Sequence, residues 1–233
     1  MSSPSSEKLA RALGGVLRFS PHLDVLMRIC TYIEAQEETS GLHVYRMVAY
    51  SIQLGRELGV PPHSLEQLAL AASLHDVGKL QVPARILLKP GKLEPEQWEV
   101  MTTHTVAGSR LLEGSGFEEI QQSSQVALCH HEKYDGSGYP SGLVGASIPL
   151  FARIVAVADV FDALTTDRPY KQAYPMETAV GMVREGAGSH FDPDVVEAFT
   201  GCEGRIRSLR DLFEEVGTDI PLYRFAEFME GRR

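Results

Sequence analysis

Leu150-Phe151-Ala152-Arg153-Ile154-Val155-Ala156-Val157-Ala158-Asp159-Val160-Phe161-Asp162-Ala163-Leu164 is strongly apolar. Val155 and Val157 would suit a strand over 153–157, but the run is too long for a usual strand and reads as a buried helix. Asp159 interrupts it. An unpaired carboxylate there is costly, so Asp159 requires either a bound cation or a buried arginine partner. Working outward, residues 1–6 read as a leader and 7–18 as a short helix. After Pro21 a helix is predicted over 23–37, and Gly41 separates it from one over 42–58, which Gly59 and Pro61-Pro62 end. Ser64 with Gln67 is a capping-box pattern, followed at helical spacing by Leu65, Leu68, Ala72 and His75 up to a stop or bend at Pro83. Residues 84–94 read mostly as loop. Glu94-Pro95 starts a helix that carries His104 and runs to about Glu113, and a further helix spans 118–132. The glycine-rich stretch 133–149 reads as a long structured loop. Asp192-Pro193 opens a helix to about Thr200, and residues 201–233 read as a charged tail with two short helices. No strand–helix alternation is visible, so the fold class is all-α, a single helical bundle.

The 233 residues suffice for a core without disulfides. With 43% apolar and 23% charged residues, the chain is neither collagen-like nor mucin-like nor wholly disordered. A net charge of −9 argues against DNA or RNA as a partner. Cys30, Cys129 and Cys202 are scattered and form no CxxC pair, which points to neither a disulfide framework nor a cysteine-zinc module and fits a reducing, cytoplasmic setting. No apolar run reaches the length of about 18 residues needed for membrane insertion, and Met1 to Lys8 is not followed by a signal-peptide core.

The polar residues recur at one interval. His43 lies 32 residues before His75-Asp76, His104 lies 29 after His75, His130-His131 follow 26 and 27 after His104, and Asp159 follows 28 after His131. Each interval is about one helix plus one connection, so successive helices can bring ligands to a common centre. Imidazole and carboxylate together suit iron, manganese, nickel or zinc. Adjacent helical residues point about 100° apart, so His75 and Asp76 can serve neighbouring ions, and His130-His131 offers the same geometry. Two such ions can hold a hydroxide and clamp a phosphoryl oxygen. His22, His63 and His190 take the ordinary reading of satisfied core histidines.

Order and spacing throughout 38–200 resemble the HD-GYP family. The matching stretches are His75-Asp76-Val77-Gly78-Lys79, Ile86 to Leu93, His104 with Gly108, His130-His131-Glu132-Lys133-Tyr134-Asp135-Gly136-Ser137-Gly138-Tyr139-Pro140, Ala158 to Leu164, Arg168-Pro169-Tyr170-Lys171 and His190-Phe191-Asp192-Pro193. The resemblance implies an HD-type helical domain with a metal centre in the bundle core and hydrolysis of cyclic di-GMP to the linear dinucleotide or GMP, through attack by a metal-bridging hydroxide. It implies His43, His75, Asp76, His104, His130, His131 and Asp159 as metal ligands, with Asp76 bridging. Lys79 would contact the scissile phosphate, and Arg168, Lys171 and the signature-loop Tyr139 would contact substrate. Trinuclear members read Glu-Thr-Gly-x-His, whereas this chain reads Glu38-Thr39-Ser40-Gly41-Leu42-His43, with glutamate at minus five. One residue rotates a helical side chain by about 100°, so two divalent ions, iron or manganese, are favoured over three. The implied organisation is 1–37 as N-terminal leader and helices, 38–200 as catalytic domain and 201–233 as C-terminal helical tail. A diguanylate cyclase or other signalling protein, or a second copy of the chain, are the candidate protein partners. The rival readings are a non-catalytic cyclic di-GMP receptor and an HD hydrolase of another nucleotide.

Overall fold

The computed structural model describes residues 21–34, 42–167 and 172–216. The helix expected over 7–18, Glu38 and Thr39, Arg168 and Lys171, and the tail beyond Val216 lie outside the described residues. The order is α1 (Pro21–Glu34), α2 (His43–Glu57), α3 (Pro62–Leu74), a 3-10 turn (Val77–Gln81), α4 (Ala84–Leu87), α5 (Pro95–Thr102), α6 (His104–Leu112), α7 (Glu118–Cys129), a 3-10 turn (Gly145–Ser147), α8 (Leu150–Thr165), α9 (Met176–Glu185) and α10 (Pro193–Val216). Two isolated bridges, Asp135 with Val144 and Ala187 with Phe191, are the β-type pairings among the described residues. The fold is all-α, and the apolar run 150–164 is a helix. No helix among the described residues is long and apolar enough to cross a membrane.

α2 is the central element. Every residue from His43 to Gly55 is buried, polar ones included, as a helix wrapped on all sides requires. It packs on α3, α8 and α10, while α7 packs on α3 and α6. Tyr50, Phe161 and Phe199 form an edge-to-face ladder through the core, with ring centroids 5.5 and 5.2 Å apart.

Several helix boundaries differ from expectation. α3 begins at Pro62 rather than at Ser64, because proline suits the first helical position and the Pro61 carbonyl accepts from the Ser64 and Leu65 amides at 2.9 and 3.0 Å. The capping box sits instead on α5, where the Glu94 amide donates to Gln97 Oε1 at 3.1 Å. The single helix expected over 94–113 is two, broken at Thr103. Thr102 and Thr103 hydroxyls donate to the Glu99 and Val100 carbonyls at 2.9 and 2.6 Å, competing with the backbone ladder there. α7 ends at Cys129 rather than at Glu132, where His130 turns away as its cap.

The largest difference is α10. It continues past Thr200 to Val216, where a tail was expected. Val195, Phe199, Cys202, Ile206, Leu209 and Phe213 recur at helical spacing and are all buried. That stripe outweighs the cost of about 1 kcal/mol for each of Gly201 and Gly204 within the helix. Phe213 docks on this chain's own core, and Cys30 and Ile33 of α1 join the same core from the other end, so the core extends on both sides of 38–200.

Glycine permits one close approach that positions the site. A Cβ on Gly78 would lie 1.9 Å from the His104 carbonyl oxygen and 2.4 Å from the Gly108 nitrogen. Substituting Gly78→Ala is therefore expected to destabilise the fold by at least about 1–3 kcal/mol. Gly181→Ala in α9, with nothing within 4 Å of its added Cβ, is expected to be neutral or stabilising by up to about 1 kcal/mol. Denaturant unfolding of the two variants checks both signs.

Candidate metal centre

The ligand-type side chains converge at helix ends. Glu34 is the last residue of α1 and His43 the first of α2; His75 follows α3, His104 opens α6, and His130 follows α7. A helix leaves its last carbonyls without intrahelical donors. His75 Nδ1 donates to the Ala72 carbonyl at 2.8 Å, His104 Nδ1 to Met101 at 2.8 Å, and His130 Nδ1 to Ala127 and Val126, both at 3.1 Å. Each ring thus folds back three residues onto the last turn of the preceding helix. That bond fixes the tautomer and aims Nε2 inward.

The three Nε2 atoms and Asp76 Oδ1 are buried and make no hydrogen bond. They nevertheless crowd together: His75 Nε2 is 3.2 Å from Asp76 Oδ2, while His104 and His130 Nε2 are 3.2 and 3.5 Å from Oδ1. Buried acceptors without donors are rare unless something else satisfies them. Two groups have ligand atoms within 4.8 Å of one another: Asp76, His104, His130 and His131, and Glu34, His43, His75 and Asp76. Asp76 belongs to both. His75 and Asp76 share the second group, so their adjacency does not divide them between neighbouring sites as expected; Asp76 reaches the first group as well. His130 and His131 differ from expectation, because both join the same group. The donor set, nitrogen and carboxylate without sulfur, fits divalent transition ions.

Electrostatics divides the histidines: against the effect of burial, Asp76 raises the pKa of His75 to about 10, and Glu34 with Asp162 raises that of His43, so a cation bound there would displace a proton. Burial lowers the pKa of His130 and of His131, whose rings stay neutral and keep a lone pair. Burial opposes ionisation of Asp76, but Lys79 and His75 outweigh it and hold the carboxyl well below its usual range. Lys79 Nζ lies 2.9 Å from Asp76 Oδ2. The expected continuation of α3 toward Pro83 is replaced by the tighter 3-10 turn, and this still brings Lys79 back onto the aspartate. Burial pushes the Glu34 carboxyl up, with His43 pulling the other way.

Asp159 stands at the rim, with Oδ1 3.9 Å from His43 Nε2, outside both four-residue groups. The buried arginine partner weighed for Asp159 belongs to Asp162, one turn further on. Arg46 Nε and Nη2 donate to Asp162 Oδ1 and Oδ2 at 2.5 and 3.0 Å, and His43 Nδ1 donates to Oδ2 at 2.7 Å. This leaves His43 Nε2 facing Glu34 Oε2 at 3.2 Å. Sequence reading missed Glu34, Arg46 and Asp162. A usable signal for Glu34 was its position: Cys30, Ile33 and Glu34 share one buried helical stripe, an unusual place for a carboxylate.

The signature loop forms one wall. The buried Glu132 carboxylate accepts from the Ser141 and Leu143 amides at 2.7 and 3.0 Å. A Cβ on Gly138 would meet the Lys133 nitrogen at 2.2 Å, so only glycine lets the loop lie flat on the residues after His131. The Tyr139 amide donates to the His131 carbonyl at 3.2 Å, and the two rings lie 4.9 Å apart. The motif 190–193 anchors the loop from behind. His190 and Ser189 carbonyls accept from the Tyr134 and Asp135 amides, and Asp192 pairs with Arg153.

A model of the HD domain family matches residues 25–195. The chain belongs to the HD domain family. Its motif order resembles the HD-GYP pattern. It is similar to the cyclic di-GMP phosphodiesterase response regulator RpfG of Xanthomonas campestris, 45% identical over 175 residues that cover 75% of this chain and 46% of the relative. A cyclic di-GMP phosphodiesterase of Thermotoga maritima is 41% identical over 184 residues, covering 79% of this chain and 49% of that one. The chain thus spans about half the length of these curated relatives. Among solved structures, Bd1817, an HD-GYP-type protein of Bdellovibrio bacteriovorus, shares the fold with a TM-score of 0.59 at 20% identity, over 86% of this chain and 68% of that one.

Removing Asp162 should be costly through Arg46. Asp162→Ala removes the two-pronged partner of a buried guanidinium and the acceptor of the His43 ring, and is expected to lose about 3–5 kcal/mol in thermal or denaturant unfolding.

Proposed function

We propose that this chain is a metal-dependent phosphodiesterase that hydrolyses cyclic di-GMP. The observation that carries the reading is Asp76, shared by two groups of ligand-type side chains in which Asp76 Oδ1 and the Nε2 atoms of His75, His104 and His130 are buried without a hydrogen-bond partner. Glu34, His43 and His75 would hold one divalent ion and His104, His130 and His131 the other, with Asp76 common to both and Asp159 at the rim. Two ions, iron or manganese, match this count, with Glu34 as a carboxylate ligand of the first. Bound there, divalent ions supply Lewis acidity and lower the pKa of water.

The protein's own groups then have defined tasks. Lys79, already beside Asp76, presents a cation to phosphoryl oxygens whose charge grows in the transition state. His130 and His131, neutral through burial, stay available as ligands without first losing a proton. Tyr139, pinned to His131, bounds the pocket and orients the substrate. Arg168 and Lys171 would bind the anionic dinucleotide by charge-assisted hydrogen bonds, offsetting the net negative charge of the chain. The names of the relatives support the substrate class. The site residues and the ion count are this chain's own assignment.

Turnover of cyclic di-GMP by protein purified without oxygen, with metal quantified on the same sample, is the test. Metal-dependent product is expected from the wild type. Asp76→Ala is expected to lose turnover and most of the bound metal. Lys79→Ala is expected to lower turnover by about 10²-fold or more at unchanged metal content, as for loss of an electrostatic stabiliser. Glu34→Gln is expected to lower metal content. Tight nucleotide binding without product, under iron and manganese alike, would establish the receptor reading instead.

A further inference from the structure

Trp98 is the sole tryptophan of the chain and stands 51% exposed on α5. No side chain of α5 is buried, so this ring does not fill the core. Its centroid is 5.9 Å from that of Tyr139, edge-on at 82°. Tyr139 in turn lies against His131 and within 6.4 Å of the His104 ring, both of them ligand-type residues of the centre. α5 is held in place from the preceding segment, where Lys89 Nζ donates to Gln97 Oε1 at 2.6 Å. A large indole is thus fixed at the lip of the site, one ring outward from the metal-facing histidines, with half of its surface in water.

An exposed aromatic ring held beside a phosphate-handling centre has a natural complement. Purines carry flat faces that stack on indole whatever their exocyclic groups, and stacking needs no positive charge. We infer that Trp98 is the platform on which one purine of a cyclic dinucleotide stacks while the phosphate sits at the metal centre. This rests on the phosphodiesterase reading. It assigns a substrate contact to α5, a helix in which the motifs marked only an entry to His104. Trp98 then secures affinity and orientation, while the chemistry stays with the centre. Tyr139, edge-on to it, sets the depth to which the base can enter.

The test uses the metal-loaded full chain and two readings. Trp98 is the one tryptophan, so its fluorescence should be quenched when a phosphorothioate analogue of cyclic di-GMP is titrated in. In steady-state hydrolysis, Trp98→Ala and Trp98→Leu are expected to raise KM for cyclic di-GMP roughly ten- to hundredfold with kcat and metal content little changed, and Trp98→Phe to retain most of the affinity. Unaltered melting of the variants separates the effect from damage to the fold. Quenching and weakened analogue binding by Trp98→Ala without turnover would keep the platform and overturn the phosphodiesterase reading. Normal turnover, no quenching and an unchanged KM in Trp98→Ala would overturn the platform and leave that reading standing. If Trp98→Leu matched Trp98→Phe, the ring would be apolar filling, and stacking would be wrong.

Discussion

Three imidazoles in the core each donate Nδ1–H to a carbonyl three residues back, and that choice organises the rest of the molecule. With Nδ1 of His75, His104 and His130 committed to the last turns of α3, α5 and α7, the opposite nitrogens all turn toward Asp76 in a space closed to water. Crowding polar atoms there is unfavourable in a medium of low dielectric constant unless they share a cation. Lys79 offsets part of that, and a cation of higher charge offsets more. The helices are arranged so that this local frustration falls at one point, while the surrounding core of Tyr45, Met47, Ile52 and Phe161 is conventionally packed.

A second buried charge pair gives α2 and α8 their mutual register. Arg46 grips Asp162 in a two-pronged contact, and the same carboxylate orients His43. Such a pair adds little net stability compared with apolar side chains of similar size. What it does contribute is direction, because the fork of the guanidinium accepts one relative placement of the two helices. The ring of His43 inherits that placement. Its position at the first residue of α2 would otherwise leave it free to turn.

His104 was legible only through its interval from His75, whereas His43, His75 and His130-His131 were legible because each is marked locally, by a helix boundary, a neighbouring acid or a second histidine. The all-helical fold was legible for the same reason, since the apolar run 150–164 is too long to be a strand. Glu34, Arg46 and Asp162 were not legible because their roles depend on contacts across more than a hundred residues or between separate helices. A carboxylate on an apolar stripe is visible in one dimension, but its partner is not. The end of α10 was misplaced for an opposite reason. Gly201 and Gly204 look like terminators locally, and packing of α10 on α2, α8 and α9 makes it favourable to carry the helix through them to Phe213. The break at Thr103 turns on hydroxyl hydrogen bonds that the helical periodicity does not register.

The centre is built where five helix ends meet rather than along helix flanks. Helix termini are where amide hydrogens exchange soonest, because the last turns open without unfolding the whole. The protein has therefore placed its most demanding geometry on its least protected backbone. Anything that binds the ends together acts as a rivet through several frayed edges at once. Slow exchange at Glu34, His43, His75, His104 and His130 would then track the filling of the centre, while the middle of α2 stayed protected regardless.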